Sequence, residues 1–126
     1  MLKLQKIVLI TASGLGALSV IIGAFGAHKF KDFLNETGRL ETFETAVKYQ
    51  FYHVFALALV GLLMYKLDNK YLGYSAYAFI IGILIFSGSL YTLCATQIKV
   101  LGAITPFGGV FLIVGWALLA LAIYKA

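Results

Sequence analysis

The chain has little charge, one cysteine and one proline. Of its 126 residues only 12% are Asp, Glu, Lys or Arg, about half the share found in an ordinary soluble domain. So few charges cannot cover a water-facing surface, and 62% of the residues are hydrophobic, with a mean hydropathy of +0.96. A single cysteine, Cys94, excludes an internal disulfide and a thiolate-built metal cage. It reads as a small apolar filler near the end of a span. No basic cluster stands outside the expected span ends. The net charge of +5 is therefore the surplus that meets phospholipid headgroups, and nucleic acid is not an expected partner.

What is present is apolar length. Uncharged runs cover Ile7–Ala27, Tyr49–Tyr65, Tyr71–Ile98 and Val100–Tyr124. A helix rises about 1.5 Å per residue and needs roughly 20 residues to cross about 30 Å of hydrocarbon. Three runs suffice outright, and the second does if its helix begins a turn or two earlier. The expectation is an all-α membrane protein, one integral membrane domain over residues 1–126. It forms a four-transmembrane-helix bundle with spans near 6–27, 42–66, 71–96 and 100–124. Lys3 and Lys6 before the first run imitate a secretory signal, but the run exceeds the roughly 7–15 residues of a signal core and reads as a retained span. Tyr65, Tyr71 and Tyr124 mark one interface as an aromatic belt.

Residues 29–38 interrupt the hydrophobicity. Phe30, Phe33 and Leu34 share one helical face, with Lys31, Asp32 and Glu36 turned away, so a short interfacial helix stopped at Gly38 is predicted between helices 1 and 2. Orientation is nearly balanced. Lys3, Lys6, Lys66, Lys70 and Lys125 stand on one side, and Lys29, Lys31, Arg39, Lys48 and Lys99 on the other. The compact positive flanks at the N-terminus and at 66–70 favour cytoplasmic termini.

The first span carries Ala12, Gly16, Ser19, Gly23 and Gly26 along one seam. In lipid such small residues let helix backbones approach closely. The seam could pack inside the monomer or against another helix in an oligomer; both remain open. In the fourth span Pro106 removes a helical hydrogen bond, Gly108 and Gly109 beside it permit close packing or a kink, and all three are expected at a helix-packing contact.

Nearly every polar residue that is awkward in lipid falls in one half of the bundle, on the side of the 28–48 loop. His28 stands at that rim, and Gln50 and His53 share a face of span 2 within about two turns of it. Ser87, Ser89 and Tyr91 occupy the matching half of span 3, and Thr105 that of span 4. His28, Gln50, His53, Ser87, Ser89, Tyr91 and Thr105 are thus candidate lining for a polar pocket. The same side chains could instead satisfy one another as a packing network. The two histidines are expected at different heights and lack a carboxylate in metal-binding spacing. No nucleophile-elbow pattern surrounds Ser87. No catalytic residue, metal or cofactor is therefore assigned.

Four blocks occur in order: Gly23-Ala-Phe-Gly-Ala-His28, Thr45-Ala-Val-Lys-Tyr-Gln-Phe-Tyr-His53, Phe86-Ser-Gly-Ser-Leu-Tyr91 and Thr105-Pro-Phe-Gly-Gly109, followed by Gly115-Trp116. Together they resemble a family of small bacterial inner-membrane proteins with eukaryotic relatives, domain of unknown function family 423. The resemblance spans nearly the whole chain. It departs at Phe43, where tryptophan is expected. It implies a multi-pass protein of the bacterial inner (plasma) membrane with both termini on one side, and it implies no activity. The expected function is a non-enzymatic accessory or scaffold subunit that binds membrane lipids, partner membrane subunits or a second copy of itself. The alternative is a small-solute or proton pathway lined by Gln50, His53, Ser87, Tyr91 and Thr105.

Overall fold

The computed structural model describes residues 2–126. Its five helices are α1 (Lys3–Ala27), α2 (Lys31–Glu36), α3 (Leu40–Leu63), α4 (Lys70–Thr96) and α5 (Leu101–Tyr124). The four long helices have 24 to 27 residues. At about 1.5 Å per residue each is long enough to cross the hydrocarbon layer. α3 begins before its apolar run and stops at Leu63, so Met64–Lys66 form a turn beyond the helix.

α3 and α4 pack together at the centre, α1 lies mainly against α3, and α5 lies along α4. One core draws on all four: Val8 and Ala12 from α1, Leu57 from α3, Phe79 from α4 and Leu119 from α5. The flanking helices bury only 17% (α1) and 28% (α5) of their most apolar stretch, against 44% for each central helix. Ile10, Val20, Phe107 and Ile113 consequently face outward. In water such a surface would drive association; in a bilayer it is the lipid-contacting belt.

Small residues decide how closely the helices approach. A side-chain carbon on Gly108 would overlap the backbone of Phe86, and one on Gly115 would stand 2.6 Å from the Phe79 ring. Gly82 abuts Leu112 in the same interface. Pro106 itself is exposed. The expectation that it packs between helices is corrected: it lies two residues, or about 200° of helix rotation, from the buried Gly108. The contact at Gly109 is looser: a side-chain carbon there would stand 3.8 Å from the Phe86 ring. On α1, Ala12, Ser19 and Gly26 are buried, while Gly16 and Gly23 look onto Val54 and Val47 of α3. The seam is thus occupied inside the monomer.

The interfacial helix ends in a Schellman arrangement. Gly38 has φ +70°, its N–H donates to the Asn35 carbonyl, and the Arg39 N–H donates to that of Leu34. Leu34 is buried, and the charged face of α2 is exposed. At the opposite end of the bundle Asn69 caps α4 and donates to the Ala122 carbonyl, near Leu2. Leu2 and the last turn of α5 therefore lie at that end.

The α4–α5 contact yields a direct test. Gly108→Ala should destabilise the protein by about 2 kcal/mol, because relief requires two backbones to separate. Gly14→Ala, where nothing lies within 4 Å, should stay within about 0.5 kcal/mol of wild type. Unfolding titrations in mixed micelles measure both.

Candidate functional site

The polar side chains in the half of the bundle nearer the 28–48 loop are bonded to one another and to backbone. Gln50 donates from Nε2 to the Leu15 carbonyl at 3.2 Å, and its Oε1 accepts from the Tyr91 hydroxyl at 2.5 Å. The Leu15 carbonyl also accepts from Ser19 Oγ at 2.8 Å. Ser87 donates to the Ala46 carbonyl at 2.8 Å. The hydroxyls of Ser89 and Thr105 are 2.6 Å apart, each also near a carbonyl of its own helix. Among the described residues no buried side-chain nitrogen or oxygen lacks a partner.

His53 has both ring nitrogens engaged. Nδ1 lies 2.7 Å from the Tyr49 carbonyl oxygen, and Nε2 lies 3.0 Å from the indole nitrogen of Trp116. A carbonyl only accepts and an indole N–H only donates, so these partners assign the proton to Nδ1 and the lone pair to Nε2. A second proton on Nε2 would set donor against donor. Phe79 packs edge-on to Trp116, with ring centres 5.3 Å apart, and its ring lies 5.8 Å from that of His53.

The placement of the individual residues amends the sequence reading. Gln50, Ser87 and Tyr91 border a cleft of about 150 Å³ between α1 and α4, together with Leu15, Leu18 and Ile83. That is smaller than the roughly 300–1,000 Å³ of small-molecule sites. His53, Ser89 and Thr105 belong to neighbouring bonds and not to this cleft. His28 is exposed beside Val20, Ala24 and Phe25. It is removed from the polar group, because it points about 200° around the helix axis from the buried Gly26. His53 is deeper than two turns from the rim: α3 starts at Leu40, which puts His53 roughly 20 Å along the helix, near mid-bilayer.

Polar pinning also extends to the other half. Gln5, 1% exposed, donates to the Gly61 carbonyl at 2.9 Å, and Ser75 donates to that of Gly115 at 2.7 Å. Gln5 is masked in sequence by its lysine neighbours, which mark it as interfacial. Trp116 offered a clearer signal. It is the one tryptophan, it lies away from the headgroup levels where tryptophan concentrates, and its N–H therefore requires an internal acceptor. Among the described residues no three His, Cys, Asp or Glu side chains gather as a metal ion would require.

The model of a family described as protein of unknown function (DUF423) matches residues 22–109. A UPF0382 membrane protein of Staphylococcus aureus is 43% identical over 117 residues, covering 88% of this chain and 93% of its own. The UPF0382 membrane protein YwdK of Bacillus subtilis is 38% identical, covering 96% and 98%. A UPF0382 membrane protein of Haemophilus influenzae is 37% identical, covering 99% and 98%. No solved structure matches.

The Gln50–Tyr91 bond can be isolated by a double-mutant cycle. Tyr91→Phe should cost about 0.6 kcal/mol, and Gln50→Leu, which removes two bonds, about twice that. The double variant should be no worse than Gln50→Leu alone, because the two share a bond. Strict additivity of the two losses in unfolding titrations would refute that coupling.

Proposed function

The chain belongs to the DUF423 family of membrane proteins, and from that premise we propose that it is a non-enzymatic accessory or scaffold subunit. It sits in the inner (plasma) membrane of a bacterium with both termini cytoplasmic, and its lateral surface binds lipid or partner helices. The observation that carries this reading is the internal satisfaction of the buried polar groups. Side chains that a substrate or ion would need are already spent on neighbouring helices. What remains available is the apolar flank of the outer helices.

On α1 the packed seam is covered by α3, so a partner would meet the opposite arc, where Ser13, Gly14, Ala17 and Ala24 are exposed. Small residues there permit the same close approach that the seam uses internally. The pathway alternative is weakened at its carrier. A histidine that relays protons must exchange partners, whereas His53 holds a carbonyl on one nitrogen and an indole on the other.

Gentle extraction of the native membrane into lipid nanodiscs, followed by native mass spectrometry, tests the proposal. A second copy or another membrane protein is expected at fixed stoichiometry, and Ala17→Phe should release it while Gly88→Ala does not. A chain that is always monomeric and conducts protons in liposomes until His53→Gln is introduced would overturn it.

A further inference from the structure

We propose that the groove beneath α2 is a binding site for an anionic membrane phospholipid, its phosphate held by Arg39. The inference deepens the lateral-surface reading by naming a ligand, and it rests on that reading. The groove holds about 370 Å³ and is walled by Phe30, Phe33 and Leu34 of the α2 segment, Phe43 of α3 and Tyr91, Cys94 and Ala95 of α4. This volume falls within the range of small-molecule clefts. Its walls come from the α2 segment, the first turn of α3 and the last turns of α4, so the groove occupies the boundary between headgroups and acyl chains. Its wall is almost wholly hydrocarbon and suits the upper part of an acyl chain.

Arg39 supplies the charge at that boundary. Its Nε donates to Oε1 of Gln97 at 3.1 Å, and its carbonyl oxygen lies 3.8 Å from Cys94 Sγ in the groove wall. Gln97 is itself fixed. It takes the left-handed conformation at φ 61°, its N–H donates to the Leu93 carbonyl, and its Nε2 donates to that of Cys94 at 2.7 Å. The guanidinium is thus oriented by a neutral amide that leaves its charge uncompensated. Among the described residues its two terminal amino groups have no protein acceptor. Arg39 does not line the groove, but Gln97, which orients its guanidinium, is bonded to the carbonyl of the wall residue Cys94. A planar fork of free N–H donors thus stands one side chain away from an apolar groove, an arrangement that matches a phosphodiester attached to an acyl chain. Lys99, two residues beyond Gln97 in the α4–α5 turn, is an exposed second cation at this end of the bundle. A zwitterionic headgroup brings a cation of its own to this cluster, and an anionic headgroup does not.

Native mass spectrometry of the purified protein in neutral detergent, titrated with phosphatidylglycerol, tests the site. Wild type should retain phosphatidylglycerol in preference to phosphatidylcholine, and equimolar inorganic phosphate should not displace it. Arg39→Gln should weaken retention about tenfold, the value of one charge-assisted contact. Ala95→Phe, at an exposed position in the groove wall, should also weaken it. Emission from Trp116, which lies on α5 outside the groove, verifies that each variant is folded. Equal retention of both lipids by wild type, displacement by phosphate, or unchanged binding in folded Arg39→Gln or Ala95→Phe would overturn the proposal. Partner association is read separately in native membranes, so failure of either idea leaves the other measurable.

Discussion

Hydrocarbon offers no hydrogen-bond partner, and that single constraint organises this protein. Every polar side chain carried into the bilayer must find its acceptor or donor inside the chain. Hydroxyls along each helix mostly return to a carbonyl of their own helix, while the side chains that join helices use a backbone carbonyl of the neighbour, which keeps a lone pair free after making its helical bond. Gln5 reaches Gly61, Gln50 reaches Leu15, Ser75 reaches Gly115 and Ser87 reaches Ala46. Each such bond is modest, about 0.6 kcal/mol in lipid. Its greater effect is geometric, because it ties one side chain to one residue on one neighbouring helix.

Bonds from short side chains to backbone require close backbones, so the glycines and the polar contacts form one device. Gly115 shows both halves of it. Its missing side chain makes room for the Phe79 ring, and its carbonyl accepts from Ser75. Gly61 likewise lies under Leu9 and accepts from Gln5. A larger residue at either position would push the helices apart and strand the donor opposite. The start of α3 and the α4–α5 turn are joined differently, through Arg39 and Gln97 at the interface, where a charged side chain can remain partly hydrated.

The four spans and the interfacial helix are legible in the sequence because each rests on a local signal. Length and apolarity mark the spans, and the Phe30–Leu34 face followed by Gly38 marks α2. The small-residue seam of α1 is legible as a packing face, but its partner is not. Periodicity states which residues share a side of a helix, not what lies opposite. The same gap explains the amendments at the site. Gln50 and His53 share a face, yet their partners come from three other helices at sequence separations of 35 to 63 residues, beyond any local pattern. His28 lies near the right height on the wrong side of its helix. Trp116, by contrast, was readable from its depth alone.

A closed network and a hydrated pathway place the same residues in the same half of the bundle, and they differ in whether water reaches them. The indole proton of Trp116 reports on this without ambiguity, being the only one of its kind in the chain. Its exchange with deuterium, followed by NMR in lipid nanodiscs, tests the central claim most directly. Bonded to His53 at 3.0 Å and facing lipid otherwise, it should persist for hours after transfer into D₂O. Loss of the signal within the first spectrum, with the backbone amides of α3 and α5 still protected, would show that water enters beside His53 and would contradict the account.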